Sequence, residues 1–120
     1  MTVASQHADR ITMARRDAAE WVHRRGDGIT RCTEQMSLLR VLAASVNEQW
    51  ESNWTTKDLA TAIGLSEEAV KHHLDMLGEH HAVYRFAINP DGQPASVPFT
   101  LNRFYPQRAN VWGREPWLWR

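Results

Sequence analysis

Residues 55–78 read TTKDLATAIGLSEEAVKHHLDMLG, two short apolar patterns on either side of one glycine. Leu59, Ala60 and Ile63 recur at helical spacing, and so do Val70, Leu74 and Leu77. Thr55 or Thr56 is placed to cap the first helix, and Asp58 follows Thr55 by three residues. That is the capping-box pattern, in which each side chain satisfies an amide the first turn leaves open. Gly64 stands where a helix ends in a left-handed residue, and Ser66 can cap a new helix just beyond it. The stretch therefore predicts a short helix, a tight turn and a second helix over 67–78.

Working outward, "AVYRFAI" alternates, with Ala82, Tyr84, Phe86 and Ile88 on one face. "NPDGQP" is a dense turn signal, and "SVPFTL" returns with Val97, Phe99 and Leu101 on one side. Pro98 lacks an amide donor, which predicts an edge strand. On the N-terminal side, Met36, Leu39, Leu42, Ala43 and Val46 predict a helix over about 33–47. Ile11, Ala14, Ala18, Trp21 and Val22 predict another over about 5–25, stopped by Gly26-Asp27-Gly28.

Composition bounds the function. The 120 residues, 42% hydrophobic and 23% charged, suit one soluble globular domain. No apolar run approaches a membrane span, and the N-terminus reads as no secretory signal. A single Cys32 allows no internal disulfide and fits a reducing cytoplasm, the expected location. Net charge is zero but uneven. Residues 1–31 carry six Arg against four acids, 32–81 three Lys/Arg against eight acids, and 82–120 five Arg against two acids. The basic material flanks the central helices, whereas a nucleic-acid binder usually carries it on its reading surface.

The run TTKDLATAIGLSEEAVKHHLDMLGEHHAVYRF, about a quarter of the chain, resembles the winged helix-turn-helix regulators, particularly bacterial repressors of the ArsR and MarR kind. The tight "IGLS" turn is its most specific piece. The resemblance implies a mainly α fold with a small β-hairpin, a winged helix-turn-helix over 29–104; outside it the residues themselves add an N-terminal amphipathic helix over 1–28, a candidate for dimerisation, and a Trp-rich tail over 105–120. It also implies transcription regulation, with the N-terminal half of the second helix facing the major groove of duplex DNA. Carried over by position, Glu67, Glu68, Ala69, Lys71, His72 and Asp75 would face the groove. Three of these are acids. A carboxylate can accept a hydrogen bond from cytosine, but several near phosphates oppose binding. Acids in a first turn also favour the positive end of a helix, which suffices to explain Glu67. At His81 the family often has glycine; either His81 adopts the left-handed region or the helix ends near Gly78.

On this reading Thr56, Lys57 and Ser66 touch phosphate, and Lys71 and His72 probe base edges. Arg85 and Gln93 act from the wing, and Arg103 and Arg108 follow it. His72, His73, His80 and His81 raise a metal hypothesis, but adjacent histidines on a helix diverge and Cys32 has no second thiol, so structural roles and no metal or cofactor are expected. No phosphate-cradling loop, nucleophile elbow or HExxH motif supports an enzyme. The tail carries Trp112, Trp117 and Trp119 among arginines. With Trp21, these are candidates for an interface in a homodimer or with a protein partner, since Trp and Arg dominate interface hot spots. The alternative for the tail is a return onto the chain's own first helix. The leading expectation is a dimeric DNA-binding regulator. Its rival is a winged-helix protein-binding module, such as a phage- or plasmid-encoded inhibitor or adaptor, using the acidic helix and the Trp-rich tail.

Overall fold

The structure is a computed structural model that describes residues 3–85 and 97–106. Four helices and a small antiparallel sheet follow one another as α1 (Val3–Ile29), α2 (Thr33–Ser45), β1 (Glu51–Ser52), α3 (Thr56–Ile63), α4 (Glu67–Glu79), β2 (Val83–Arg85) and β3 (Phe99–Leu101). No helix among the described residues is long and apolar enough to cross a membrane.

Helix α1 buries Ala14, Ala18, Trp21 and Val22 as its spacing predicts, with Ile11 half-buried at the edge. It does not stop at Gly26-Asp27-Gly28. The helix runs through both glycines, buries Ile29, and closes with the Thr30 amide donating to the Gly26 carbonyl at 2.9 Å. A Cβ on Gly26 would stand 2.8 Å from the sulfur and methyl at the flexible end of Met36, so here the bare glycine lets Met36 lie close against α1 rather than making a turn.

Helix α2 is the centre of the molecule. Leu38, Leu39 and Leu42 are fully buried, as is Val46 just beyond the helix, Ala43 is nearly so, and the helix touches α1, α3, α4 and β1. Met36, expected in the buried stripe, is only half-buried, while Leu38 and Gln35 are buried without having been expected. Packing on several sides widens the stripe that a one-sided helix would show. One core cluster joins α1 to α2, α3, α4 and the sheet, so the N-terminal helix belongs to the same unit as the rest.

The sheet departs most from expectation. Its order is β1-β3-β2, so β3 is the central strand and not an edge. Ser52 and Arg85 both pair with Phe99, and Val83 pairs with Leu101. Pro98 lies one residue before β3, so its missing amide interrupts neither ladder. The one-sided alternation also fails: Val83, Tyr84, Phe99, Thr100 and Leu101 are all buried. Strand β1 has only two polar residues and no apolar period to announce it. A turn built on Asn47 presents it, since the Asn47 Oδ1 accepts from the amides of Gln49 and Glu51. That turn holds Trp50 at φ 63, with its ring edge-on to Trp21 at 5.8 Å between centroids.

Candidate nucleic-acid interface

Local chemistry places α3 and α4 with little help from elsewhere. The Thr55 hydroxyl accepts from the Asp58 amide at 3.1 Å, and an Asp58 carboxylate oxygen accepts from the Thr55 amide at 3.0 Å. The Thr55 amide and, secondarily, the Thr55 side chain hold the Asp58 carboxyl below its ordinary range, because hydrogen bonds to the carboxylate favour its charged form. Helix α3 ends at Gly64, φ 74, whose amide donates to the Ala60 carbonyl at 2.9 Å. Ser66 then caps α4, its hydroxyl accepting from the Ala69 amide at 3.1 Å. Both cap residues are as the sequence predicts.

The far end of α4 resolves the alternatives at His81. The His81 amide donates to the Gly78 carbonyl and the Ala82 amide to the Leu77 carbonyl, each at 3.0 Å, with His81 at φ 64. This is the Schellman pattern, with histidine in the position usually held by glycine. Asn102, fully buried beside β3, secures it by donating to the His81 carbonyl at 2.8 Å and to the Ala82 carbonyl through its own amide at 2.9 Å.

Helix α4 is two-faced. Val70, Leu74 and Leu77 are fully buried, while Glu67, Glu68, Lys71, His72 and Glu79 are exposed and Asp75 is half-buried. Ser66 and Lys57 are exposed and Thr56 half-exposed, so these, Lys71 and His72 lie on the open surface of the helix pair. Lys57 and Lys71 form no ion pair with described residues.

Two expected basic contacts are placed otherwise. Arg85 donates to the Asp75 carboxylate at 2.7 Å, with 28% and 42% of the two side chains exposed. The pair ties β2 to the middle of α4 and engages Arg85 with one of the three acids expected to face a groove. Arg103 follows Asn102, which holds the C-terminal end of α4, so it lies roughly 20 Å along the helix from Ser66. Its guanidinium covers the exposed Phe104 ring at 5.2 Å from the centroid. Trp21 is only 2% exposed within the core, so it is not a surface contact. Gln93, Arg108, Trp112, Trp117 and Trp119 lie outside the described residues.

The histidines divide by role. His72 is exposed, while His73 turns inward, its Nδ1 3.2 Å from the Gln35 Nε2. Gln35 is 3% exposed and accepts from the Thr30 hydroxyl at 2.6 Å, so one side chain joins the end of α1 to α4 through α2. Nothing in the apolar spacing marks Gln35, because a buried amide resembles a surface one in sequence. Cys32 donates its thiol to Glu34 at 3.2 Å, the principal reason the Glu34 carboxyl sits below its ordinary range. Among the described residues no group of three or more His, Cys, Asp and Glu side chains is arranged to hold a metal ion.

With that geometry established, comparison with family models, characterised proteins and solved structures returned no match to the chain.

Proposed function

We propose that α2, α3 and α4 with the β2–β3 pair constitute a winged helix-turn-helix, and that the chain is a regulator binding duplex DNA as a homodimer. The observation that carries the reading is the two-faced α4. A row of polar residues projects from it opposite a fully buried apolar row, directly after a tight turn at Gly64. Such a helix is held rigidly from behind and presents its N-terminal half outward, as entry into a major groove requires. Lys57 at the start of α3 is positioned for phosphate, and Lys71 and His72 for base edges.

The test is binding to a random duplex pool at low and moderate salt, with wild type and Lys71→Ala compared. Affinity falls as salt rises, because phosphate contacts release counterions. The substitution weakens a selected site by about 1–3 kcal/mol if Lys71 reads a base. Lys57→Ala lowers the salt slope by about one contact and leaves sequence preference unchanged. Binding that is absent at every salt concentration rejects the proposal.

A second reading rests on exposed Glu67 and Glu68, which leave the N-terminal half of α4 with two exposed acids against one exposed lysine, Lys71. A basic protein surface would complement that face. In that case DNA binding is absent, and a Glu67→Lys/Glu68→Lys variant loses a partner that wild type retains.

A further inference from the structure

A chain of hydrogen bonds runs from the end of α1 to the middle of α4, and its direction is fixed from one end. The Cys32 amide can only donate, and it donates to the Thr30 hydroxyl oxygen at 3.0 Å. The Thr30 hydroxyl hydrogen is therefore directed onward, where the Gln35 Oε1 accepts it at 2.6 Å. That leaves the Gln35 nitrogen, which can only donate, facing α4. One of its hydrogens is directed to the Met76 sulfur at 3.4 Å, and the other meets the His73 Nδ1 at 3.2 Å. His73 must accept there, so the arrangement requires a neutral ring that carries its proton on Nε2.

A proton on Nδ1 would set one donor against another. Turning the Gln35 amide over offers no escape. It would take the acceptor from the Thr30 hydroxyl and bring the Gln35 oxygen against the Met76 sulfur. Gln35 and Thr30 are 3% and 9% exposed, and an unmade hydrogen bond costs most where water cannot replace it. His73 itself is only half-buried, so a proton from solvent can reach it.

The charged groups around the ring favour one exit. On α2 the Glu34 carboxyl, held below its ordinary range chiefly by the Cys32 thiol, also feels the charge of His73. On α4 the His72 ring lies 5.6 Å from the His73 ring between centroids. Of the other elements packed against α4, β2 brings Arg85, which is paired with Asp75. Helix α3 brings Lys57 and Asp58 in its first turn, Asp58 being held in the capping box.

We infer that His73 is a proton-sensitive latch: a proton taken from solvent on Nδ1 breaks its bond with Gln35, and the charged ring turns to the Glu34 carboxylate. The middle of α4 then loses its polar tie to α2 and, through Thr30, to the end of α1. Val70, Leu74 and Leu77 stay buried, so α4 keeps its apolar seat. The latch adjoins the exposed Lys71 and His72, so any partner bound there meets a helix whose rear attachment depends on pH. This inference stands independently of the DNA reading.

The test is NMR spectroscopy of the ¹⁵N- and ¹³C-labelled full chain, titrated across the ordinary histidine range from about pH 8 to about pH 5. At the upper end the His73 Nδ1 resonates as an unprotonated nitrogen, Nε2 carries the proton, and a scalar coupling links Nδ1 to the Gln35 Nε2. On acidification that coupling is lost, and the Gln35 side-chain amide and Cys32 backbone amide shift with the same midpoint as the His73 ring. Ring-to-side-chain Overhauser contacts pass from Gln35 to Glu34. The same changes occur in His72→Gln. A proton on Nδ1 at the upper end overturns the inference, as does a Gln35 contact that survives protonation of His73. Loss of the response in His72→Gln also overturns it, by assigning the titration to the neighbouring ring.

Discussion

Gly64 and Gly28 occupy the same kind of sequence context, each following an amphipathic helical run, yet they do opposite things. Gly64 ends α3 in the left-handed region. Gly28 lies within α1, which continues to Ile29. At Gly64 every cue agrees over a few residues: a capped eight-residue helix, a left-handed glycine, a serine cap for the next helix. At Gly26 and Gly28 the local cue is outweighed by what continuation achieves. Ile29 enters the core, Thr30 reaches Gln35, and the bare face of Gly26 admits Met36. A glycine permits a turn; it imposes one only when nothing distant rewards the helix.

The largest effect that can break this contrast is at Ile29. Because it is 3% exposed, Ile29→Ala destabilises by about 2–5 kcal/mol in chemical denaturation. A loss below about 0.5 kcal/mol, as for a surface residue, would mean that the helix stops at the glycines. Next comes Gly64→Ala, with an expected loss of about 1–2 kcal/mol, since an L-residue is strained at φ 74. No neighbour lies within 4 Å of a Cβ there, so the loss isolates backbone strain.

Thr55→Ala removes one half of the capping box and lowers stability by about 1 kcal/mol near neutral pH. Its pH dependence sharpens the assignment. The Asp58 carboxyl titrates below its ordinary range in the folded chain, so its contribution is full above the unfolded value and is lost as pH falls through the lower, folded one. The variant keeps the backbone amide at position 55, the larger cause, so the two stability curves should approach each other on acidification only by the smaller share of the hydroxyl. Parallel curves would show that the Thr55 hydroxyl does not hold the charged form of Asp58.

The smallest change reverses the sign seen at Gly64. Gly28→Ala should stabilise by about 0.5–1 kcal/mol, because the position is helical and open, and alanine has less freedom to lose. Destabilisation of both glycine variants would erase the distinction between them.

The same division separates what was legible in the rest of the chain. The capping residues followed from spacing, and the outward Lys57, Lys71 and His72 from the winged-helix resemblance, because caps and helix faces are set within about one turn. Arg85 looked like a wing cation until its Asp75 partner was visible. Pro98 looked like an edge marker, though it lies just outside the ladder. Nothing in the spacing paired His73 with Gln35, yet together they join α2 to α4. In each case the partner lies on another element, and a sequence pattern carries no record of which elements meet.

Sequence by itself determined the α3–turn–α4 unit, the left-handed Gly64 and the apolar faces of the helices. These depend on hydrogen bonds and periodicities closed within about five residues. Tertiary structure alone decided the continuation of α1 through its glycines, the central place of β3, the addition of β1 and the pairing of Trp21 with Trp50. Those outcomes rest on contacts between distant residues, where burial and close packing outweigh local preference.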